Sequence, residues 1–419
     1  MSYTRPGRLY RKLAAAGIPT PLMTAQLSGV PRSWSDDIVQ NYTVHRGQAG
    51  VGAGATGSTA EVTVREYVSA LIGEQLSLSL TPAAAAAIHA RTSASTDIAP
   101  RYRGRAAGFA ITAEGPRREA STVSASSWTT ILPDREQLYT RPSQQNTADL
   151  LALILQPPEL PYMPAVTRLG ARTAYPITAA PITDEKYSAL HRDYAEKVET
   201  LIVDRRDGRL ELRSQQARQD HALATMDATY PITQSQVLAP TSLVEDTWEY
   251  QRAVYVAAAD GNGGTTGGLY SPGGDDPYRI EEYHDLRHVY YTSDRGWQMA
   301  GGARYRRQYT GVHQLPRIRL DLLHLIGSPH AADRLQAGQL LALEAGDPVY
   351  FSGDWWAGQR GIYFAQEITE TLTPESWEIE LSLAPLIQVT GEVPPIPAPR
   401  VWDSAVWPWD DENRTWNAA

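Results

Sequence analysis

Between Arg101 and Ser127 the chain alternates with a period of two. Ala107, Phe109, Ile111 and Ala113 interleave with Gly108, Ala110, Thr112 and Glu114, a Gly115-Pro116 turn follows, and a second run sets Val123 and Ala125 on one face. That period, interrupted by Gly-Pro, predicts a half-buried antiparallel hairpin. The arrangement returns between Arg360 and Leu383. Arg360-Gly361 opens it, Ile362–Thr371 forms the first run and Pro374-Glu375 the turn. Trp377, Ile379, Leu381 and Leu383 then alternate with Glu378, Glu380 and Ser382. An Arg-Gly-strand-turn-strand unit used twice predicts two related β-barrel or sandwich-like domains.

The remaining pattern fills in a mainly β chain with a small α+β middle domain. Residues 1–35 are basic and weakly patterned, an N-terminal arm that lies on a neighbour or a flexible terminus. Residues 36–140 form the first barrel-like domain, with strands at Asp37–Arg46, at Thr59–Tyr67 and at Leu76, Leu78 and Leu80; Ala83–Asp97 reads as a small-residue excursion. Residues 141–230 form the middle domain. Here Ala148–Leu155 is a short helix stopped by Pro157-Pro158, and Thr183 caps a longer one whose Tyr187, Leu190, Tyr194, Val198 and Leu201 share a face. Leu201–Asp204 and Arg209–Arg213 then flank Asp207-Gly208, a hairpin signal. Residues 231–390 form the second barrel-like domain, with strands at Thr247–Ala258, Tyr278–Thr292, Arg304–Tyr309 and Arg317–Leu325. It also holds a Gly-rich loop at Asp260–Asp276, a helical turn at Ala331–Ala337, a run at Leu340–Phe351 and the closing hairpin. Residues 391–419 comprise the stiff spacer Pro394–Arg400 and a Trp-rich tail.

Composition narrows the partners. The 38 basic and 47 acidic residues leave a formal charge of −9, which argues against a sequence-independent grip on nucleic acid or an anionic membrane. There are no cysteines, so disulfides and thiolate ligands are excluded. Only 3 Phe stand against 22 Tyr and 11 Trp, a bias that fits either compositional drift or surfaces that are apolar at one end and wet at the other. No apolar run reaches the roughly 20 residues that span a bilayer, and Leu13–Ala16 is too short for a signal peptide, so the chain is expected in the cytoplasm when made.

Candidates for chemistry each meet an objection. Gly52, Gly54 and Gly57 spell G-x-G-x-x-G, but the alternating Ala60, Val62 and Val64 that follow predict a strand, where a phosphate site needs a helix N-terminus. His284 and His288 have the i, i+4 spacing that holds zinc on a helix. Asp285, however, stands where the general-base Glu belongs, and Val289-Tyr290-Tyr291 favours a strand. The pairs Asp275/Asp276 and Asp410/Asp411 read as solvated charge, and Arg304-Tyr305-Arg306-Arg307 as an exposed strand face. The expectation is therefore no catalytic, cofactor or metal site. Trp402, Trp407, Trp409 and Trp416 differ in kind: four large rings on a tail with no core of its own must bury against something, either the parent chain or a neighbouring subunit.

Four segments in this order resemble minor tail proteins of the baseplate-hub type from long-tailed, non-contractile phages of actinobacteria. They are Val44-His45-Arg46-Gly47 leading to Ala60-Glu61-Val62-Thr63-Val64; Arg101-Tyr102-Arg103-Gly104-Arg105; Tyr187–Leu212 with Asp207-Gly208-Arg209; and Leu340–Pro385 with Gly346-Asp347 and Trp377. The tail (Val401-Trp402-Asp403, Thr415-Trp416-Asn417) completes the last of them. The resemblance implies a structural virion component at the tail tip. It would be a homotrimer whose two barrel-like domains alternate around a pseudo-sixfold ring, adapting a sixfold tube to a threefold tip. It further implies passage of the tape-measure protein and DNA, contacts with the distal tail ring and with tip or fibre proteins, and no stable membrane insertion. No hydrolase or collagen-like extension is expected. A glycan-binding tail protein, a hydrolase using His284 and His288, and the sixfold distal tail ring protein are the alternative expectations.

Overall fold

The computed structural model describes residues 8–28, 33–35, 39–47, 55–65, 74–94, 96–113, 119–127, 145–146, 166–169, 176–179, 200–214, 221–222, 225, 231–238, 252–259, 265–270, 280–291, 317–351 and 361–385. Its dominant feature is a curled antiparallel sheet. The early chain supplies β1 (Met23–Leu27), β2 (Ser33–Ser35), β3 (Val39–Gly47), β5 (Thr59–Val64), β6 (Gln75–Leu80), β7 (Pro100–Ala113) and β8 (Glu119–Ser126), with the short β4 (Ala55–Thr56) paired elsewhere. The late chain supplies β17 (Arg317–Asp321), β18 (Pro348–Phe351), β19 (Gly361–Leu372) and β20 (Trp377–Pro385). Their order is β17-β20-β19-β3-β5-β8-β7-β6-β1-β2, with β18 also paired to β19.

Both hairpins read from the alternation are present. β7 pairs β8 with Phe109 opposite Val123, and β19 pairs β20 with Leu372 opposite Trp377. Each ladder has one register shift, at Ala106/Gly108 and at Ala365/Glu367. The two blocks lie edge to edge in one sheet. One side of β19 is shared end to end by β18, through Phe351 opposite Gly361, and by β3, through Gly47 opposite Glu367 and Tyr42 opposite Leu372. This β3–β19 ladder is the seam between early and late chain.

One face of the sheet is apolar because alternate residues are: Leu76, Leu78 and Leu80, Ala60, Val62 and Val64, and Ile379, Leu381 and Leu383 are all buried. Each of the Val, Leu and Ile side chains among them contributes about 1.5–3 kcal/mol on leaving water. Among the described residues, four helices share the same core: α1 (Arg8–Ala15), α2 (Pro82–Thr92), α3 (Leu322–Gly327) and α4 (Ala331–Ala342).

Several expectations need correction here. Within the predicted arm at 1–35, residues 8–27 are integral. Leu9, Leu13, Ile18 and Leu22 are buried, and β1 pairs β6 from Met23–Leu80 to Leu27–Leu76. The basic charge of that stretch lies on the outer side of α1, where Arg8 and Arg11 are exposed, and this hid its apolar stripe. The small-residue excursion is α2. Thr81 Oγ1 accepts from Ala84 N at 3.2 Å, Pro82 begins the helix, and Ser93 closes it in the left-handed region (φ 52°). The strand at Arg317–Leu325 stops at Asp321, whose carboxylate accepts from His324 N at 2.9 Å and starts α3. The helical turn extends to Ala342 as α4.

The described residues form two smaller sheets as well. β10 (Val166–Leu169), β13 (Leu210–Ser214), β12 (Thr200–Asp204) and β4 form one in that order; β12–β13 is the predicted hairpin, with Gly208 at φ +82° in its turn. β4 comes from the Gly-rich stretch after β3, and it pairs in parallel with β12. The other sheet orders β15 (Thr265–Tyr270), β14 (Arg252–Ala259), β16 (Ile280–Tyr291), β11 (Pro176–Ala179) and β9 (Gln145–Asn146). β15 falls inside the expected loop Asp260–Asp276 and pairs antiparallel with β14 from Val254–Tyr270 to Ala259–Thr265. The helices expected at Ala148–Leu155 and from Thr183, the run Arg304–Tyr309 and the spacer Pro394–Arg400 lie outside the described residues.

Candidate functional site

The seam is pinned by buried charge. Glu370 sits on β19 between Ile368 and Leu372, at a position whose parity places it in the core, and it is fully buried. Arg101 Nε donates to both its carboxylate oxygens at 3.1 Å and Arg101 Nη2 donates to Oε2. Tyr42 Oη donates at 2.6 Å and Trp377 Nε1 at 3.0 Å. Burial alone raises a carboxyl pKa, but here the Arg101 guanidinium and its hydrogen bonds, with Arg46 and Tyr42 behind them, bring Glu370 down to about 2. Burial likewise opposes the charge on Arg101, and Glu370 more than offsets it, so the Arg101 pKa is raised. The phenol of Tyr42 is pushed well above its ordinary range, by burial first and by Glu370 second.

A second carboxylate, Glu344, follows α4. It accepts from Arg206 Nε at 2.7 Å, Arg206 N at 3.2 Å and Arg46 Nη1 at 3.3 Å. Arg206 comes from the β12–β13 turn, so this contact joins the middle hairpin to the main sheet. Arg101 Nη1 and Arg206 Nη1 both donate to the carbonyl of Leu341. Arg213 of β13 donates to Ala345 O at 3.0 Å and Asp347 Oδ1 at 2.5 Å, and its other amino group to Glu211 at 3.1 Å. The turn 344–347 depends on Gly346 (φ +85°), whose N–H donates to Ala365 O at 2.6 Å. At Gly47 (φ +87°), a Cβ would stand 1.9 Å from Gln366 O, so only glycine lets β3 reach β19 there.

Arg46 is the member held least well. It is fully buried, and its Nε and Nη2 make no hydrogen bond, although Nη2 lies 3.6 Å from Glu370. Desolvation, reinforced by Arg101 and Arg206 and only partly countered by Glu344, brings its pKa down to about 10. Chemically the cluster is a joint. Arginines and carboxylates from β3, β7, β19, the 344–347 turn and the middle hairpin pair with one another largely away from solvent, with two Arg46 donors left without hydrogen bonds.

Of the residues singled out from sequence, His284 and His288 both lie in β16, so the helix their motif requires is not formed. Gly57 leads into β5, a strand. Trp402, Trp407, Trp409 and Trp416, Asp275/Asp276, Asp410/Asp411 and Arg304–Arg307 lie outside the described residues. Among the described residues, no three His, Asp or Glu side chains gather as a metal site. The buried cluster was missed by sequence reasoning. Its signal was a charged residue at an apolar parity position, Arg46 two after Val44 and Glu370 two after Ile368.

Taken together, the curled sheet and its helical cover define a mainly β architecture whose fold is like that of phage tail proteins. No family model matches the chain and no curated protein matches it. Among solved structures it is similar to a tail protein from Neisseria meningitidis MC58, at 11% identity with a TM-score of 0.55 over 87% of this chain and 96% of that one. It is also similar to the 43 kDa tail protein of prophage MuSo2 from Shewanella oneidensis, at 10% identity and a TM-score of 0.55 over 88% of this chain and 100% of that one. At such identities the likeness is one of fold.

Proposed function

We propose that this chain is a structural tail-tip protein of a long-tailed phage, a hub that forms a homotrimeric ring and has no catalytic activity of its own. The observation that carries the reading is the sheet's construction. A hairpin-bearing early block and a hairpin-bearing late block lie side by side in one curved surface, fused by the β3–β19 ladder and the Arg101–Glu370 pair. Three chains carrying two such blocks each present six places around a ring, which matches a sixfold tube above and a threefold tip below. Likeness to two tail proteins over nearly their whole lengths supports the same reading.

In this role the chain sits in the virion at the tail tip after synthesis in the host cytoplasm. It contacts the distal tail ring protein and tip or fibre proteins, and lets the tape-measure protein and DNA pass. The bacterial host group follows from the sequence resemblance alone. Native mass spectrometry of the purified protein, together with the symmetry of a particle reconstruction, tests the reading. A trimer at the tail tip is expected. A hexamer selects the distal tail ring instead, and a monomer that cleaves cell wall sinks the proposal.

A further inference from the structure

One register row crosses the whole seam. Phe109 lies opposite Val123, Val123 opposite Val62, Val62 opposite Tyr42, Tyr42 opposite Leu372 and Leu372 opposite Trp377. Residues paired in this way share a face of the sheet, and here it is the apolar one: Val123, Val62, Tyr42, Leu372 and Trp377 are all buried. Phe109, at the β7 end of the row, is 43% exposed. The neighbouring row repeats the pattern. Ile111 lies opposite Ser121, and Ser121 opposite Val64; both of these are buried, whereas Ile111 is 44% exposed. The apolar face thus runs out onto β7 and is left open there. Phe109 is one of three phenylalanines in the chain, and the other two, Phe351 and Phe364, are buried. A phenyl ring has no polar group to offer water, so an exposed one beside an exposed isoleucine, both at core-facing positions, calls for an apolar partner.

We infer that this open end receives the chain's own C-terminal segment Trp402–Trp409. The segment reads Trp402-Asp403-Ser404-Ala405-Val406-Trp407-Pro408-Trp409, too short and too rich in rings to bury them against itself. Pro408 disfavours helix at Trp407 and favours extended backbone. In extended chain, residues two apart lie on one side, about 6–7 Å from each other. Trp407 and Trp409 therefore present two rings at the spacing at which β7 presents Phe109 and Ile111. The segment is also within reach. The last described residue, Pro385, lies eight residues along β20 from Trp377, and Phe109 lies five strand spacings from Trp377 along the row. Together these give roughly 36 Å over the sheet. Trp407 is twenty-two residues beyond Pro385, and extended chain of that length spans about 75 Å. Tethering also gives the segment an effective concentration on the order of millimolar, above that of a tail on a free chain. Docked there, the tail closes the open end of the apolar face within one subunit.

Photo-cross-linking in the full-length chain tests this. p-Benzoylphenylalanine replaces Phe109, which it resembles in shape, or in a control Ser124, which is exposed on the opposite face of the same hairpin. After irradiation the products are separated on denaturing gels and mapped by peptide mass spectrometry. From position 109 the expected result is an intrachain product with the peptide that holds Trp407 and Trp409. It should be at least threefold more abundant than from position 124, and cut at least threefold by Trp407→Ala combined with Trp409→Ala. Equal yields from the two positions, a yield that the tryptophan substitutions leave unchanged, no product with the tail, or a product that joins two chains overturns the proposal.

Discussion

Arg101 and Glu370 meet across 269 positions of sequence, and neither exposes any side-chain surface. Truncating Arg101 leaves the buried Glu370 charge facing only Arg46, 3.6 Å away and not hydrogen-bonded to it. Arg101→Met should therefore cost about 3–5 kcal/mol in urea unfolding. Arg46→Met should fall within about 1 kcal/mol of the parent, because Arg46 has two buried donors without hydrogen bonds and Glu344 keeps Arg206. Equal losses for the two variants would refute this division of roles.

Acid should weaken the seam. The Glu370 pKa falls from 4.5 to about 2 on folding, so the folded state binds fewer protons than the unfolded state in that interval. The stabilisation is present above pH 4.5 and lost as pH falls towards 2, about 3 kcal/mol in all. Denaturant titrations at pH 5, 4 and 3 should show this slope, and Glu370→Gln should flatten it. An unchanged slope in the variant would place the acid sensitivity elsewhere.

Gly47→Ala should be more harmful than Gly17→Ala, although both glycines have positive φ. At Gly17 (φ +72°) a Cβ meets nothing within 4 Å, so only the backbone cost of about 1 kcal/mol applies. At Gly47 the clash with Gln366 O adds to it, and a loss above about 2 kcal/mol is expected from thermal or urea melts.

Arg206→Ala should free the middle hairpin before it harms the sheet. The variant removes the Nε and Nη1 bonds to Glu344 and Leu341. Hydrogen exchange in Thr200–Ser214 should accelerate at least tenfold, with much smaller changes in β6 and β20. Uniform acceleration would mean that hairpin and sheet open as one unit.

The β elements were legible wherever one face is buried and the other wet. Leu76, Leu78 and Leu80 against Ser77 and Ser79, and Trp377, Ile379 and Leu381 against Glu378 and Glu380, announce themselves by parity. α2 escaped because Ala83–Ala87 has no polar–apolar contrast, and only the cap-and-proline pair Thr81-Pro82 marked its start. β15 escaped because Gly267 and Gly268 read as loop, while pairing with β14 decides the matter. The charged seam was hidden for a different reason. Residues such as Arg46 and Glu370 are written as surface chemistry, and only the meeting of distant strands shows that they neutralise each other indoors.

The β3–β19 ladder also sets a timetable for biogenesis. β3 leaves the ribosome long before its neighbour exists, since Tyr42 waits for Leu372. At about 5–20 residues per second the delay is on the order of 15–70 seconds. During that time the β3 edge stands open to any passing strand, so nascent chains crowded on one message are at risk of pairing with each other. Slower initiation or a chaperone able to shield that edge should raise the yield of soluble protein.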